Sequence, residues 1–289
     1  MYAALKILFD VAFFRLRRLE MANLAAAGSI MLALRMDFLD AGVRLAFGGL
    51  LNVLAYLTND YFDVDQDLAS PNKDHAKVAF LKAHMRAALW AQIVLAAILA
   101  AAGLAWSPGL VVALVTGAGI CWLYSWKLKH APYLDVLAMI VWGLTMPLVG
   151  FPLDSVLGWC LIGQLGLSSA VFESIQVIRD YDEDARSGVR TTAVRLGERG
   201  TLLLIRALMV TGAVYATCLL SRWLGPLLLA ALFIRLKTGR ADRYWNQVRL
   251  MLGLGWLAIV GRIFWTGSSD GLLFSAGPGR TIPFLAFLN

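Results

Sequence analysis

Leu50-Leu51-Asn52-Val53-Leu54-Ala55-Tyr56-Leu57-Thr58-Asn59-Asp60-Tyr61-Phe62-Asp63-Val64-Asp65-Gln66-Asp67 passes without a helix breaker from an apolar run into four aspartates. Residues 59, 63 and 67 are four apart and share one face if the helix continues through them. Asp180 and Asp184 repeat that spacing at the end of a second apolar run, residues 156–178. Carboxylates stacked this closely repel one another, at a cost that rises at the edge of a low-dielectric bundle unless a cation lies between them. Magnesium suits such a site. It takes oxygen ligands, uses one or two protein carboxylates per ion, and completes its shell with water and substrate phosphate. Two clusters of this kind would hold a diphosphate between them. Solvated acids balancing nearby lysines and arginines are the alternative. A calcium loop is disfavoured, since its glycine and closing glutamate are missing at the required offsets.

Outward from these clusters the chain is too apolar for water. Of its 289 residues, 60% are hydrophobic and 16% charged, against about 45–50% and about 25% in soluble domains. The surplus belongs in lipid. No polar linker or low-complexity tract divides the sequence, so residues 1–289 read as a single membrane-embedded domain. A span needs about 20 mostly apolar residues. Nine candidates follow, at residues 20–34, 41–58, 87–106, 108–124, 134–152, 156–178, 201–220, 223–236 and 250–266. The first and eighth are short and must tilt or borrow flanking residues. The N-terminal segment, with Lys6, Arg15, Arg17 and Arg18, lacks a convincing small-residue cleavage site and reads as a retained part of the protein.

The cations orient this plan. With the N-terminus inside, 21 of the 26 lysines and arginines fall on the cytoplasmic side, as expected for a multi-pass protein. Eight of the 19 acids fall in the two motif windows, each at the cytoplasmic end of a span. Each window has an apolar helix before it and a basic loop and apolar helix after it, which hints at a four-helix unit used twice with a ninth helix added. The net charge of +7 is scattered between apolar runs without a nucleic-acid-binding motif, so membrane orientation accounts for it and no nucleic-acid partner is expected. Cys121, Cys160 and Cys218 lie far apart inside apolar runs. Together with the unpaired His75, His84 and His130, they supply neither a disulfide framework nor a zinc or haem site.

Asn59-Asp60-x-x-Asp63-x-x-x-Asp67 and Asp180-x-x-x-Asp184 resemble the paired Asp-rich motifs of the UbiA superfamily of intramembrane prenyltransferases. Arg186-Ser187-Gly188-Val189-Arg190-Thr191-Thr192-Ala193-Val194-Arg195-Leu196-Gly197 is similar to the Gly, Thr and Leu-Gly pattern that follows the second motif. Tyr124-Ser125-Trp126-Lys127-Leu128-Lys129 is similar to the family's Tyr-Ser-x-x-Leu-Lys segment. The resemblance implies an all-α membrane protein with about nine transmembrane helices in a ring around a central cavity. One departure stands out. Many members continue the first motif with Asn-(Lys/Arg)-Pro-x-Arg-Pro, whereas here the chain reads Asn72-Lys73-Asp74-His75-Ala76-Lys77. A lysine supplies charge but not a bidentate guanidinium contact.

By this resemblance the expected activity is magnesium-dependent prenyl transfer from an allylic polyprenyl diphosphate to a lipophilic, aromatic acceptor drawn from the membrane lipid. Asn59, Asp63, Asp67, Asp180 and Asp184 are the expected metal ligands, and Asp60 joins them as a catalytic candidate that orients a neighbour. Lys73, Lys77, Tyr124, Lys127 and Lys129 are the expected diphosphate contacts. Charge building on the departing diphosphate is stabilised by metal and cationic donors, and the carbocation left behind needs a dry site, for which 10 Trp, 8 Tyr and 14 Phe offer aromatic faces. Two alternatives remain open. A terpene cyclase of the same superfamily would ionise the diphosphate without an acceptor. A transporter or lipid-binding protein would use the acids for cations, although their place at helix ends, away from the bilayer midplane, argues against it.

Overall fold

The computed structural model describes residues 2–17, 22–69, 74–236 and 240–288. Among them the chain is all-helical, with α1 Tyr2–Arg17, α2 Ala22–Ala33, α3 Phe38–Ala69, α4 His75–Ala83, α5 Met85–Trp106, α6 Pro108–Trp126, α7 Leu134–Thr145, α8 Val156–Arg179, α9 Tyr181–Ser187, α10 Thr192–Tyr215 and α11 Ala241–Thr266. Extended pairing is limited to two isolated bridges, Ser155 with Thr281 and Ser221 with Asp270.

The nine expected spans are helical but not equivalent. Among the described residues six helices are long and apolar enough to cross a bilayer: α3, α5, α6, α8, Thr192–Leu220 and α11. Ala22–Ala33 and Leu134–Gly150 are shorter apolar helices. At 12 residues, Ala22–Ala33 rises only about 18 Å against a hydrocarbon core of about 30 Å. Residues 223–236 form no α-helix; Gly225–Phe233 is a 3-10 helix with Pro226 in its first turn. A Cβ at Gly225 would stand 2.4 Å from the Thr217 backbone nitrogen, so this segment is folded tightly against the preceding one. Among the described residues the nine expected spans thus correspond to six helices of crossing length, two shorter apolar helices and one 3-10 segment, because hydropathy registers apolar side chains and not helix type or length.

Lipid-facing and core-facing surfaces are separated as the composition requires. On α5, Leu89, Trp90, Ile93, Val94 and Ile98 are exposed while Ala88, Ala91, Leu95 and Leu99 are buried. An exposed apolar band of this kind is stable only against acyl chains. Inside, helices approach closely at small residues, as membrane bundles do without a hydrophobic drive between helices. A Cβ at Gly143 on α7 would lie 2.4 Å from the Ser169 Cβ and 3.0 Å from the Gly166 Cα on α8. That contact sets α7 against α8, the pair that carries Asp135 and Glu173.

Helix α3 places the first motif. Asp37 starts it, accepting from the Leu39 backbone N–H at 2.8 Å, as an N-cap does. Its 32 residues extend for about 48 Å, longer than the hydrocarbon is thick. The apolar part stays within the bundle while the Asn59–Asp67 end emerges as helix, which keeps the four-residue spacing on one face.

Candidate active site

Asp63 is the hub of the first cluster. Asn59, one turn earlier, donates its side-chain N–H to one Asp63 oxygen, and Lys129 forms an ion pair with the other. Lys129 comes from the single 3-10 turn Leu128–His130 that follows α6, so the Tyr-Ser-x-x-Leu-Lys segment is folded directly onto the first motif. Partial burial, and then the Lys129 charge, hold the His130 imidazole below its ordinary value. His130 is thus neutral at pH 7, and Lys129 carries the positive charge of this turn.

Asp60 faces a different set of partners. Buried itself, it accepts from Arg15 at 2.6 Å and from Lys77 at 2.9 Å. Lys77 is delivered by α4, whose N-cap Asp74 accepts from the Lys77 backbone N–H at 3.1 Å. The Arg15 guanidinium also lies 4.4 Å from the centroid of Tyr56, one turn below Asn59. The cations of α1 and α4 are thereby drawn to the helix end that carries the motif. Asp65 is exposed and pairs with Lys82 at 2.8 Å.

The second cluster begins at the C-cap of α8. Asp180 is held by its neighbour Arg179 through two contacts, 2.8 Å and 3.1 Å, with both side chains partly open to solvent. Arg179 also lies 3.7 Å from Asp242 at the start of α11. Asp67 and Asp184 are half-buried. Gly188 then adopts a left-handed conformation with φ of 75°. Val189 N–H returns to the Asp184 carbonyl at 2.9 Å, closing α9 and turning the chain toward α10.

A buried carboxylate links the two halves. Asp135, 1% exposed at the start of α7, accepts from the Thr192 backbone N–H at 2.7 Å, from the Val136 N–H at 2.8 Å and from the Thr192 hydroxyl. The Thr192 oxygen accepts in turn from the Tyr133 N–H at 2.6 Å, a residue held at φ of 69°. The Lys129 turn, which reaches Asp63, is therefore fastened to the segment that follows Asp180 and Asp184. Both acidic motifs lie at one end of the bundle.

The remaining candidates are distributed as follows. Tyr124, on the last turn of α6, donates to Glu173 at 2.9 Å. Lys127 is exposed, with its ammonium 5.9 Å from the Trp126 ring centroid. Lys73 lies outside the described residues. Glu173 and Asp135 lie beside the candidate residues through Tyr124 and Thr192, and the motif spacing does not point to them, since each is a lone acid beside or within an apolar run. Among the described residues no three His, Cys, Asp or Glu side chains form a closed metal cage. An ion that uses one or two carboxylates and fills its shell with phosphate and water needs none. The all-oxygen donors at Asp63, Asn59 and Asp180 fit such an ion.

Comparison with known proteins gives the family and the fold. The model of the UbiA prenyltransferase family matches residues 23–246, which include both motifs, Lys129 and Glu173. The lycopene elongase/hydratase of Corynebacterium glutamicum is 25% identical over 214 residues, covering 68% of this chain and 70% of that protein. Among solved structures, a UbiA homolog from Archaeoglobus fulgidus bound to GPP and Mg2+ superposes with a TM-score of 0.63 at 15% identity, over 91% of this chain and 99% of that one. A structure of digeranylgeranylglyceryl phosphate synthase gives a TM-score of 0.66 at 16% identity, over 91% and 99%. At these identities the structural likeness concerns the fold.

Proposed function

The chain belongs to the UbiA prenyltransferase family, and from that premise we propose that it transfers a prenyl group from an allylic polyprenyl diphosphate, with magnesium, to a lipophilic acceptor entering from the bilayer. The observation that carries this reading is the joining of Asp63, Asn59 and Lys129 at one helix end, fastened through Thr192 and Asp135 to the segment after Asp180 and Asp184.

In this reading Asn59, Asp63, Asp67, Asp180 and Asp184 hold magnesium, which when bound offsets the negative charge of the departing diphosphate. Lys129 has three N–H donors and binds a phosphate oxygen while remaining beside Asp63. Asn59 fixes the Asp63 carboxylate by donating to one of its oxygens. Asp60 keeps Arg15 and Lys77 at the mouth of the site, where their charge favours the incoming anion. The apolar walls exclude water from the allylic cation. Aromatic acceptors suit this chemistry. The lycopene elongase/hydratase relative adds a second acceptor class, an unsaturated isoprenoid hydrocarbon.

The test is product analysis with purified protein, magnesium and C10, C15 and C20 allylic diphosphates, each with 4-hydroxybenzoate, with lycopene and with no acceptor. A prenylated adduct supports the proposal. A cyclised hydrocarbon or alcohol without an acceptor would replace it with terpene cyclisation, and no diphosphate release under any condition would end it.

Two results are expected from the same assay. Chelation of divalent ions abolishes turnover and added magnesium restores it, because carboxylates alone repel a diphosphate; full activity after exhaustive chelation contradicts the metal assignment. Lys129→Ala raises KM for the diphosphate by at least about tenfold, the loss of a charge-assisted hydrogen bond, and Lys129→Arg recovers part of it. An unchanged KM removes Lys129 from the diphosphate contacts.

A further inference from the structure

Glu173 is a carboxyl group inside a membrane-crossing helix, 5% exposed, with Val171, Phe172 and Ile175 around it in the chain. An ionisable side chain at such a position is expensive, and it usually serves transport or chemistry. Its hydrogen-bond partner is the Tyr124 hydroxyl, which donates across from α6 to α8 at 2.9 Å.

Position along α8 gives this pair a meaning. Asp180 follows Glu173 by seven residues, which is about 10 Å along the axis and about 20° from a complete second turn. The two acids therefore occupy one face of α8, Asp180 at its end and Glu173 about two turns further into the membrane. Tyr124 is on the last turn of α6, five residues before Lys129 and the segment that reaches Asp63. With the diphosphate held at the level of Asp63, Lys129 and Asp180, the apolar prenyl chain runs into the bundle. Its reacting carbon then lies on the Glu173 side of the head group.

Resting on the proposed prenyl transfer, we infer that Glu173 is the catalytic base that removes the proton from the prenylated acceptor, with Tyr124 as its positioning residue. The allylic C–O bond breaks and its electron pair leaves with the diphosphate. A π pair of the acceptor forms the new carbon–carbon bond to C1, leaving a cation on the acceptor. The adjacent C–H bond breaks, its electron pair restores the double bond or aromatic ring, and the proton passes to the Glu173 carboxylate. Release of that proton to water with the diphosphate returns the site to its starting state. No oxidant or further reactant is needed. A buried base at this depth also supplies what the diphosphate end lacks, since the carboxylates there are committed to cations.

Glu173→Gln separates this role from a purely structural one, because the amide keeps a carbonyl oxygen for the Tyr124 hydroxyl but no longer accepts a proton from carbon. The assay uses protein in lipid vesicles with magnesium, the C20 diphosphate, and 4-hydroxybenzoate or lycopene, whichever the wild type prenylates. It measures adduct, released diphosphate and prenyl alcohol separately, and reads affinity from binding of the unreactive prenyl thiolodiphosphate. The expected result is binding within about twofold of wild type, adduct formation down by about a hundredfold, as removal of a general base does, and diphosphate release exceeding adduct as water captures the stalled cation. Glu173→Asp recovers part of the adduct. Adduct formation within threefold of wild type overturns the assignment. So does a parallel loss of thiolodiphosphate binding and adduct, which marks a role in shaping the site. Failure of the wild type to release diphosphate from any substrate overturns the proposed function, and this inference with it.

Discussion

Asp63→Ala and Asp180→Ala are each expected to lower diphosphate release by at least about a hundredfold, the scale on which removing a group that stabilises transition-state charge acts. Asp63 is at the centre of its cluster, receiving Asn59 on one oxygen and Lys129 on the other. Its removal would delete a proposed metal ligand and also release the lysine from its place. Asp180 stands partly open to solvent beside Arg179, so its alanine variant should fold normally and lose chemistry alone. Asp154, on the short segment between α7 and α8 at the other end of the bundle, uses its backbone carbonyl to receive Ile282 N–H at 2.7 Å, and Asp154→Ala should be nearly silent. Near wild-type release in the Asp63 and Asp180 variants removes the metal assignment. A comparable loss in the Asp154 variant, with less folded protein recovered by size-exclusion chromatography, shows that the series reports folding.

Asp135→Ala is expected to produce the largest loss of stability of any single change near the site, about 2–4 kcal/mol. The carboxylate is 1% exposed and receives three hydrogen bonds, two from backbone N–H groups and one from the Thr192 hydroxyl. Its removal strands the Thr192 N–H away from water and detaches the segment after Asp184 from the Lys129 turn. Asp135→Asn retains one carbonyl oxygen and should lie between wild type and alanine. Unfolding in detergent by chemical denaturant, followed by tryptophan fluorescence, checks this. An alanine variant with an unchanged midpoint means that the Asp135 contacts carry no net stability.

The helical class was legible from apolar runs of span length, and the first acidic motif from acids at intervals of four on a helix that continues through them, whereas Asp180 caps α8 and Asp184 lies on the separate helix α9. Lys129 was legible too, by its resemblance to a family segment. The helix type of residues 223–236 was not, because they are as apolar as a crossing helix, while Gly225 and Pro226 direct them into a 3-10 helix packed against Thr217. The apolar span was read as ending at residue 58, and the acids that follow it do not end the helix, which continues through Asp67 to Ala69. Asp135 and Glu173 escaped for a different reason. Each has a partner far away in the chain, Thr192 at a separation of 57 and Tyr124 at 49, and no local spacing rule connects a lone acid to a hydroxyl at that distance. The attachment of Arg15 and Lys77 to Asp60 was hidden similarly, since Arg15 read as an ordinary charge of a basic segment and Lys77 as a diphosphate contact.

At the end of the bundle away from the acids, the last residues of the chain reach back to earlier helices. The Leu288 carbonyl receives the Ser107 hydroxyl at 3.2 Å beside the start of α6, and the Arg280 carbonyl receives the Val156 N–H at 3.1 Å at the start of α8. The ribosome delivers these acceptors after every helix they contact, so during synthesis the starts of α6 and α8 wait with open donors while the acidic end can already be complete. Closure of this face then follows the synthesis of α6 and α8. A chain stalled before residue 280 would present the insertion machinery with a bundle assembled at one end and unsealed at the other.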